Sequence, residues 1–326
     1  MIPNTFSIPA TADDYRVIHN DEQLLAILRS GVLNQQPHLV VGAGSNIVFT
    51  RHFPGIVLHL ENKGMSLVRQ TSDRVLVRAA AGEVWDAFVR HTVANGWYGA
   101  ENLVAIPGTV GAAPVQNVGA YGVEAKDIIH TVVAYEIATG ARREFTNAEC
   151  AFAYRNSAFK NQLKDRYIVW EVVFDLATKF SPNLSYKALA ERFLDTEALR
   201  PQQLLDAIAE IRWSKLPRPE VAGSAGSFFK NPVVTASHYE SLLERYPDIV
   251  AYPSGDGFKL AAGWLIEHAG WKGKSLGSCG VYEKQALVLV NRGGCSGADV
   301  LRLAAAIEAD VLDKFGVLLE KEAIIV

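Results

Sequence analysis

An uncharged segment rich in glycine and proline, residues 102–123, most constrains what this chain can fold into. It is long enough to raise the question of a membrane-spanning helix. Its prolines, glycines and polar side chains, however, would leave broken and unpaired backbone in the hydrocarbon. We therefore predict a specified loop whose main chain closely approaches another group, and no membrane insertion.

Composition narrows the class of protein. A chain of 326 residues is longer than one ordinary core requires, so we expect two or three domains. The formal net charge of −3 supplies no basic field, and we expect no nucleic-acid partner. The 8 histidines are scattered, so no metal site is predicted. Cys150, Cys279 and Cys295 are sparse and odd in number, which predicts three inert thiols in a reducing cytoplasm.

Hydrophobic periodicity and cap residues predict an α+β chain. The predicted helices include residues 21–30, 83–95, 202–213, 259–269 and 296–315, the last with Ser296 as N-cap and Gly316 as its stop. Predicted strands include residues 128–137, 142–145, 167–176 and a terminal strand 317–326. A proline-rich break at 215–219 and a weaker one near 62 predict units 1–62, 63–212 and 213–326.

A second glycine turn, LVVGAGSN at 39–46, follows a predicted strand. It resembles the opening of a dinucleotide-binding unit, but Ile47 stands where the third glycine is expected, and Pro54-Gly55 precedes any crossover helix. A standard Rossmann unit is therefore disfavoured. Glycine turns still let backbone N–H groups converge on an anion. Two such loops favour a bound nucleotide over two packed surface loops.

The stretch GSAGSFFKNP at 223–232 holds a serine in a defined place. Glycine and proline specify its turns, and two phenylalanines anchor it. Ser227 has no histidine nearby in sequence, and the nucleophile-elbow pattern is absent around it. A hydrolase that uses Ser227 as its nucleophile is therefore a distant alternative.

Five motifs occur in one order along the chain: VGAGSN (41–46), IPGTVGAAPVQNVGAYG (106–122), YRNS (154–157), GSAGSFFKNP (223–232) and LEKE (319–322). In this order they resemble the UDP-N-acetylenolpyruvoylglucosamine reductase family of bacterial cell-wall synthesis. The resemblance runs from Asn4 to the last residues. The segment NLSY at 183–186 and the full-length middle region are similar to the longer subclass of that family.

The resemblance implies an FAD-binding half with two lobes of the vanillyl-alcohol-oxidase type, followed by an α+β substrate-binding domain. It also implies FAD as cofactor, NADPH as co-substrate, and reduction of UDP-N-acetylglucosamine enolpyruvate to UDP-N-acetylmuramate for peptidoglycan. We expect a cytoplasmic monomer whose partner is this small molecule. The implied FAD-binding residues are Gly42, Ala43, Gly44, Ser45, Asn46, Pro107, Gly108, Thr109, Gly111, Ala112, Ala113, Gln116, Asn117, Gly119, Ala120, Tyr121 and Gly122.

Reduction of an enol ether conjugated to a carboxylate adds a hydride to one carbon and a proton to the next. The resemblance implies that Ser227 gives the proton, while Arg155 and Glu322 stabilise the enolate-like charge. An arginine fork suits carboxylate oxygens. Alternation would place Glu320 and Glu322 on one strand face, and the motif matches Glu322. If buried, that carboxyl should resist ionisation and donate a hydrogen bond.

Seven further residues are implied or suggested for substrate binding: Tyr154, Tyr186, Lys215, Asn231, Tyr252, Lys272 and Gln285. Solvated surface positions are the alternative for the lysines. Tyr252 is either a lid aromatic or a loop anchor.

Two rival functions share the FAD scaffold. One is a flavin oxidase that uses oxygen, and the other is a flavin-binding module without catalysis. Fold alone does not separate them from a reductase. The set of Ser227, Arg155 and Glu322 favours the reductase, because oxidation of an alcohol creates no carbanion to protonate.

Overall fold

The computed structural model describes residues 1–218 and 220–326. The N-terminal part of the protein is a small parallel sheet. The strands lie in the order β1-β4-β2 with β4 in the centre. Helix α1 begins where the Asn20 side chain accepts from Gln23 N and ends at Gly31, whose φ is 71°, which confirms the prediction. The elements are β1 (Ala12–Ile18), α1 (Asp21–Ser30), β2 (His38–Val41), β3 (Ile47–Val48) and β4 (Phe53–Leu60).

The middle part is built on a five-stranded antiparallel sheet in the order β10-β9-β11-β6-β5. Its β9–β10 hairpin and the long strand β11 were both predicted from the sequence. The elements are β5 (Met65–Gln70), β6 (Arg74–Ala80), α2 (Trp85–Ala94), α3 (Ala112–Gln116), β7 (Gly119–Ala120), β8 (Val123–Glu124), β9 (Ile129–Glu136), β10 (Arg142–Thr146), β11 (Tyr167–Ala177), α4 (Lys187–Arg192) and α5 (Pro201–Lys215).

The C-terminal part has two antiparallel sheets, β12-β18-β17-β16 and β13-β15-β14, and a long helix. Ser296 and Asp299 form a capping box at the start of that helix, and Gly316 ends it with a φ of 67°, as predicted. The elements are β12 (Gly223–Ser227), β13 (Val233–Thr235), α6 (Ala236–Arg245), β14 (Ala251–Ser254), β15 (Gly257–Leu260), α7 (Ala262–His268), β16 (Ser275–Leu276), β17 (Cys279–Val281), β18 (Val288–Asn291), α8 (Gly297–Phe315) and β19 (Ile324–Ile325).

Two predicted elements are wrong in extent. The predicted helix 259–269 begins only at Ala262, because β15 extends through Leu260 and pairs with β13 and β14 on its two sides. The predicted terminal strand 317–326 is reduced to β19, which pairs with β3. The backbone before β19 bonds instead to separate points of the segment after β12, so no continuous ladder forms.

Large hydrophobic clusters fill the middle and C-terminal parts, and two smaller ones flank the N-terminal sheet. Phe6 and Ile8 pack into the C-terminal cluster, and Ser224 N donates to Thr5 O at 2.9 Å. The start of the chain therefore lies against β12. The boundaries of units 1–62, 63–212 and 213–326 stay predictions. No described helix combines the length and the apolar composition needed to cross a membrane.

The prediction of three thiols is wrong, because Cys279 on β17 and Cys295 before α8 form a disulfide with their Cα atoms 5.5 Å apart. Cys279 opposes Asn291 on β18, and Cys295 N donates to Asn291 Oδ1 at 3.1 Å. The hairpin and the turn after it thus bring the two cysteines together. Cys150 is free and buried, and burial raises its pKa to about 12.

This arrangement predicts the thiol count of the protein purified without reductant. Because Cys150 is buried and the other two cysteines are bonded, a thiol reagent should label almost nothing in the native state. It should label about one thiol per chain in denaturant and about three after reduction, by the residue counts above. Three thiols in denaturant without reductant would show that Cys279 and Cys295 are not paired.

Candidate active site

Ser227 ends β12 at an irregular point of the sheet. The register of β12 against β18 shifts between Ser224 and Ser227, and Gly226 has a φ of 68°. A backbone of that kind favours glycine. Phe228 and Phe229 follow with almost no exposed surface, and their rings pack edge to face at 5.1 Å. The predicted aromatic anchor is confirmed, and it fixes the backbone that carries the serine hydroxyl.

Glu322 is held by the main chain on both sides. Its backbone N donates to Phe228 O at 2.8 Å, and two residues later Ile324 N donates to Asn46 O at 2.9 Å. The Asn46 side chain also donates to Glu322 O at 3.3 Å. The C-terminal segment therefore connects the serine loop with the glycine turn at 42–46.

Arg155 sits in a tight turn with a left-handed backbone. Ala153 and Asn156 close the turn with two main-chain bonds of 3.0 Å, and Arg155 has a φ of 52°. Such a φ is uncommon for a residue other than glycine, and strained residues of this kind cluster at functional sites. The guanidinium donates to Gly119 O at 3.0 Å, and its Nε lies 2.7 Å from Glu322 Oε1.

The ion pair between Arg155 and Glu322 is mostly shielded from solvent, with side chains 20% and 15% exposed. Burial raises the pKa of Glu322, and the charges of Arg155, Lys160 and Lys230 oppose that shift. The competing Glu320 side chain is 72% exposed and pairs with Lys230. Of the two carboxyls, Glu322 is the one in a setting that favours its neutral form.

Two adjoining cavities surround these residues. The larger, of about 770 Å³, has walls from the turn 42–46, the loop 108–116 and the end of the chain. The smaller, of about 210 Å³, is lined by Ser227, Arg155 and Glu322 together. The sequence-predicted catalytic side chains therefore face one space. Six residues line both cavities, namely Ser45, Asn46, Gly108, Thr109, Ala112 and Gln116.

The larger cavity suits a ligand that main chain approaches closely. A Cβ on Gly42 would lie 2.9 Å from Thr109 Cγ2, and one on Gly108 would lie 3.0 Å from Ser45 Oγ. The two loops thus pack without room for side chains. Gln116 Nε2 is buried at this wall with no hydrogen-bond partner among the described residues. A bound group with an acceptor there would satisfy this donor.

The predicted cofactor residues divide into four groups, of which the first is the set of six that line both cavities. Gly42, Ala43, Gly44 and Gly111 line the larger cavity alone, and Pro107, Ala113 and Gly119 line the smaller one alone. Outside both walls are Asn117, Ala120, Tyr121 and Gly122. The Asn117 side chain is fully buried and bonds to Glu124, Ala153 O and Lys126 N, so it holds the loop together.

Several predicted substrate residues form a group beside the smaller cavity. The Asn231 backbone N–H faces the Tyr154 hydroxyl, and Lys259 Nζ lies 4.3 Å from the centre of the Tyr154 ring. Tyr252 opposes Lys259 in the β14–β15 pair, so their side chains share a sheet face. Sequence reasoning missed Lys259, because its position within the predicted helix 259–269 hid this pairing.

Tyr186 belongs to a second group. Its ring packs edge to face against Tyr121 at 4.9 Å, and Asn102 donates to both Tyr121 O and Asn183 O. Arg212 lines the smaller cavity, and its Nε donates to Ala105 O at 3.1 Å. Sequence reasoning missed Arg212 as well. Its spacing of three from Lys215 on α5 was the available signal.

None of the seven predicted substrate residues lies on the wall of either cavity. Lys215 ends α5 and is exposed. Lys272 pairs with Glu267 at 2.8 Å, and the Gln285 side chain accepts from Leu287 N at 3.3 Å. The contacts of Lys272 and Gln285 are local and need no ligand.

Known proteins resemble both halves of the chain. Residues 14–145 match the family model described as FAD binding domain, and residues 218–326 match the UDP-N-acetylenolpyruvoylglucosamine reductase C-terminal domain. A UDP-N-acetylenolpyruvoylglucosamine reductase of Burkholderia cenocepacia (strain HI2424) is 50% identical over 98% of this chain and 93% of its own length. One of Burkholderia multivorans (strain ATCC 17616 / 249) is 48% identical over the same shares.

A solved structure shares the fold over almost the whole length. It is the UDP-N-acetylenolpyruvylglucosamine reductase from Thermus caldophilus, with a TM-score of 0.68 and 23% identity. The match covers 99% of this chain and 95% of that one. The predicted α+β organisation, with an FAD-binding domain before a family-specific C-terminal domain, is confirmed.

The contact between the two glycine loops gives a test of the larger cavity. Gly42→Ala places a methyl group against the Thr109 side chain, and overpacking of this kind costs about 1–3 kcal/mol. We expect a lower melting temperature, partly restored by Thr109→Ala, which removes the atoms that clash. Thr109→Ala alone is the control. If Gly42→Ala melts like the parent protein, the loops do not pack as described.

Proposed function

The chain belongs to the UDP-N-acetylenolpyruvoylglucosamine reductase family, and from this premise we propose that Ser227, Arg155 and Glu322 carry out the reduction of an enolpyruvyl group. The substrate we propose is UDP-N-acetylglucosamine enolpyruvate, and the product is UDP-N-acetylmuramate. The observation that carries the proposal is that these three side chains line one cavity, whose wall is shared with the glycine-loop cavity.

The chain is an FAD-dependent oxidoreductase, as the sequence predicted. We assign FAD to the larger cavity, held by the main chain of the two glycine loops and by the unpaired Gln116 Nε2. When bound, FAD supplies the hydride for the reduction, and NADPH is the proposed source of that hydride. The volume of about 770 Å³ lies within the usual range for ligand sites.

Ser227 is the proposed proton donor. After hydride addition, the neighbouring carbon carries enolate-like negative charge, so it is basic enough to take a proton from a hydroxyl. The Ser227 O–H bond breaks as the new C–H bond forms. No histidine is needed, because the acceptor itself supplies the driving force. The buried phenylalanines after Ser227 support this role, since misplacement by about 1 Å can cost about 100-fold in rate.

Arg155 and Glu322 are the proposed partners of the substrate carboxylate. The guanidinium holds carboxylate oxygens as the negative charge develops. A substrate carboxylate near Arg155 competes with Glu322 for its charge. Arg155 then lowers the pKa of Glu322 less than before, and burial keeps that carboxyl protonated. A neutral Glu322 donates a hydrogen bond to the enolate-like oxygen.

The rest of the substrate is assigned to the two groups beside the smaller cavity. Tyr154, Asn231 and Lys259 form one group, and Tyr186 with Arg212 forms the other. Cations and donors of this kind suit a diphosphate. Lys215, Tyr252, Lys272 and Gln285 stay proposed contacts. We further propose that the protein acts in the cytoplasm as a monomer.

A direct assay tests the proposed function. The purified protein should be yellow, and it should oxidise NADPH over many turnovers only when enolpyruvyl-UDP-N-acetylglucosamine is present. Rapid oxidation with oxygen and no substrate would favour the oxidase alternative. A flavin that NADPH does not bleach would favour a binding module.

Replacing the serine separates the two halves of the reaction. In Ser227→Ala, NADPH should bleach the flavin at the parental rate, because that step needs no proton from the serine. The rate at which the substrate restores the yellow colour should fall by about 10²–10⁴-fold. Ser224→Ala removes the other hydroxyl of β12 as a matched control. A larger loss in Ser224→Ala, or equal losses in both half-reactions, would refute the assignment.

The pKa of Glu322 predicts a pH dependence for turnover. A carboxyl with a raised pKa stays neutral to higher pH than an ordinary glutamate and loses its donor as pH rises further. We expect kcat to fall as pH rises through this pKa. Glu322→Gln keeps a donor that does not titrate, so this decline should disappear. Glu320→Gln, the exposed control, should retain it, and an unchanged decline in Glu322→Gln would contradict the assignment.

A further inference from the structure

Lys160 ends a short 3-10 helix, Ala158–Lys160, that is tightly packed against the middle part of the protein. Phe159 is buried against Phe145 with ring centres 5.2 Å apart. The Ser157 hydroxyl donates to Val115 O of α3 at 2.8 Å. The base of the Lys160 side chain is therefore fixed relative to the helix that carries Gln116.

The ammonium of Lys160 connects the two cavities. It donates to Gln116 Oε1 at 3.0 Å and to Arg155 O at 3.2 Å. Gln116 lies on the wall of both cavities, whereas the Arg155 side chain faces the smaller one. One cation thus contacts the proposed cofactor side and the proposed substrate side of the site.

The contact with Gln116 determines which way its amide faces. An ammonium has donors and no acceptor, so the oxygen of the Gln116 amide must face Lys160. The NH₂ group is then directed away from Lys160, and its Nε2 is the buried donor without a described partner. Without Lys160, the amide is free to rotate by half a turn and present its oxygen instead.

The contact with Arg155 acts on the main chain of the strained turn. Arg155 has a φ of 52°, and its carbonyl is one of the two acceptors that Lys160 holds. A strained residue keeps its conformation only when the surrounding contacts fix it. Loss of this bond would therefore let the guanidinium move away from Glu322 and Gly119.

Lys160 also brings a partly desolvated positive charge. Burial has the largest effect and lowers the pKa of Lys160. The charge of Lys230 lowers this pKa further, while Glu322 and Glu320 raise it. Lys160 itself lines the larger cavity. A cation at that wall favours whichever state of a bound ligand carries more negative charge.

We propose that Lys160 is a positioning residue that orients the Gln116 amide toward FAD and holds the Arg155 backbone against the substrate. The inference rests on the proposed function, because it assigns the two cavities to cofactor and substrate. It adds a residue outside the set of Ser227, Arg155 and Glu322, and it predicts that cofactor and substrate properties change together.

Three replacements of Lys160 separate its charge from its hydrogen bonds. Lys160→Met keeps the approximate length of the side chain and removes its charge and its hydrogen bonds. Lys160→Gln keeps a neutral hydrogen-bond donor, and Lys160→Arg keeps both the charge and the donors. In Lys160→Met we expect a more negative flavin midpoint potential, weaker FAD binding and substrate-driven reoxidation slowed by about 10- to 100-fold, as for loss of a charged hydrogen bond. Lys160→Gln should recover part of the rate but not the potential, and Lys160→Arg should recover most of both.

A double-mutant cycle with Gln116→Leu tests the route of the effect. If Lys160 acts by orienting the amide, Lys160→Met should change FAD affinity less in the Gln116→Leu background than in the parent. Additive effects on FAD affinity would show that Lys160 does not act through Gln116. Parental potential, affinity and reoxidation in Lys160→Met would overturn the inference entirely.

The measurements keep this inference distinct from the proposed function. If the parent protein binds FAD but does not reduce the enolpyruvyl substrate, the proposed function fails. The potential and the FAD affinity of the Lys160 variants still decide the part of the inference that concerns Gln116. If the parent turns over and Lys160→Met matches it in every readout, only the inference fails. Melting temperatures of all variants identify any that are merely misfolded, and Lys160→Arg then remains as the mildest replacement.

Discussion

Main-chain hydrogen bonds from the last residues of the chain hold the whole site together. Glu322 N reaches the carbonyl of Phe228, and Ile324 N reaches that of Asn46. One segment thereby connects the glycine turn of the N-terminal part with the serine loop of the C-terminal part. Backbone bonds of this kind do not depend on the identity of the side chains, apart from proline, which has no N–H to donate.

The charges depend on that placement. Glu322 is nearly buried and faces Arg155 directly, with Lys160 and Lys230 also acting on its pKa. Burial alone would favour the neutral acid, whereas the cations favour the carboxylate. The balance is therefore sensitive to any further anion that approaches Arg155. An anion beside Arg155 would weaken the pull of that cation on Glu322 and so favour the neutral acid.

Close packing of loops explains why so many small residues are concentrated here. A side chain at Gly42 or Gly111 would clash with Thr109 or with Ala81. The left-handed backbone of Arg155 is strained, because a residue with a long side chain has a φ that favours glycine. Contacts from Lys160 and Glu322 offset that strain. The strain lies next to the proposed chemistry, where a defined guanidinium position is worth most.

The sequence by itself determined the local features whose causes lie within a few residues. The Ser296 cap, the Gly316 stop and the β9–β10 hairpin all depend on neighbouring side chains. The motifs also identified Ser227, Arg155 and Glu322 as one candidate set. Local periodicity and cap chemistry were sufficient for the cap, the stop and the hairpin, because each is a short-range property of the backbone. The candidate set of three residues came instead from the family resemblance that the motifs carry.

Only the tertiary structure decided the features that depend on contacts between distant segments. The pairing of Cys279 with Cys295, the truncated terminal strand and the contacts of Lys160 and Lys259 have no signal in periodicity. Each depends on which surfaces meet after the hydrophobic clusters form. Burial and hydrogen bonding between segments more than a hundred residues apart, such as Asn46 with Glu322, then set the charge and orientation of the site.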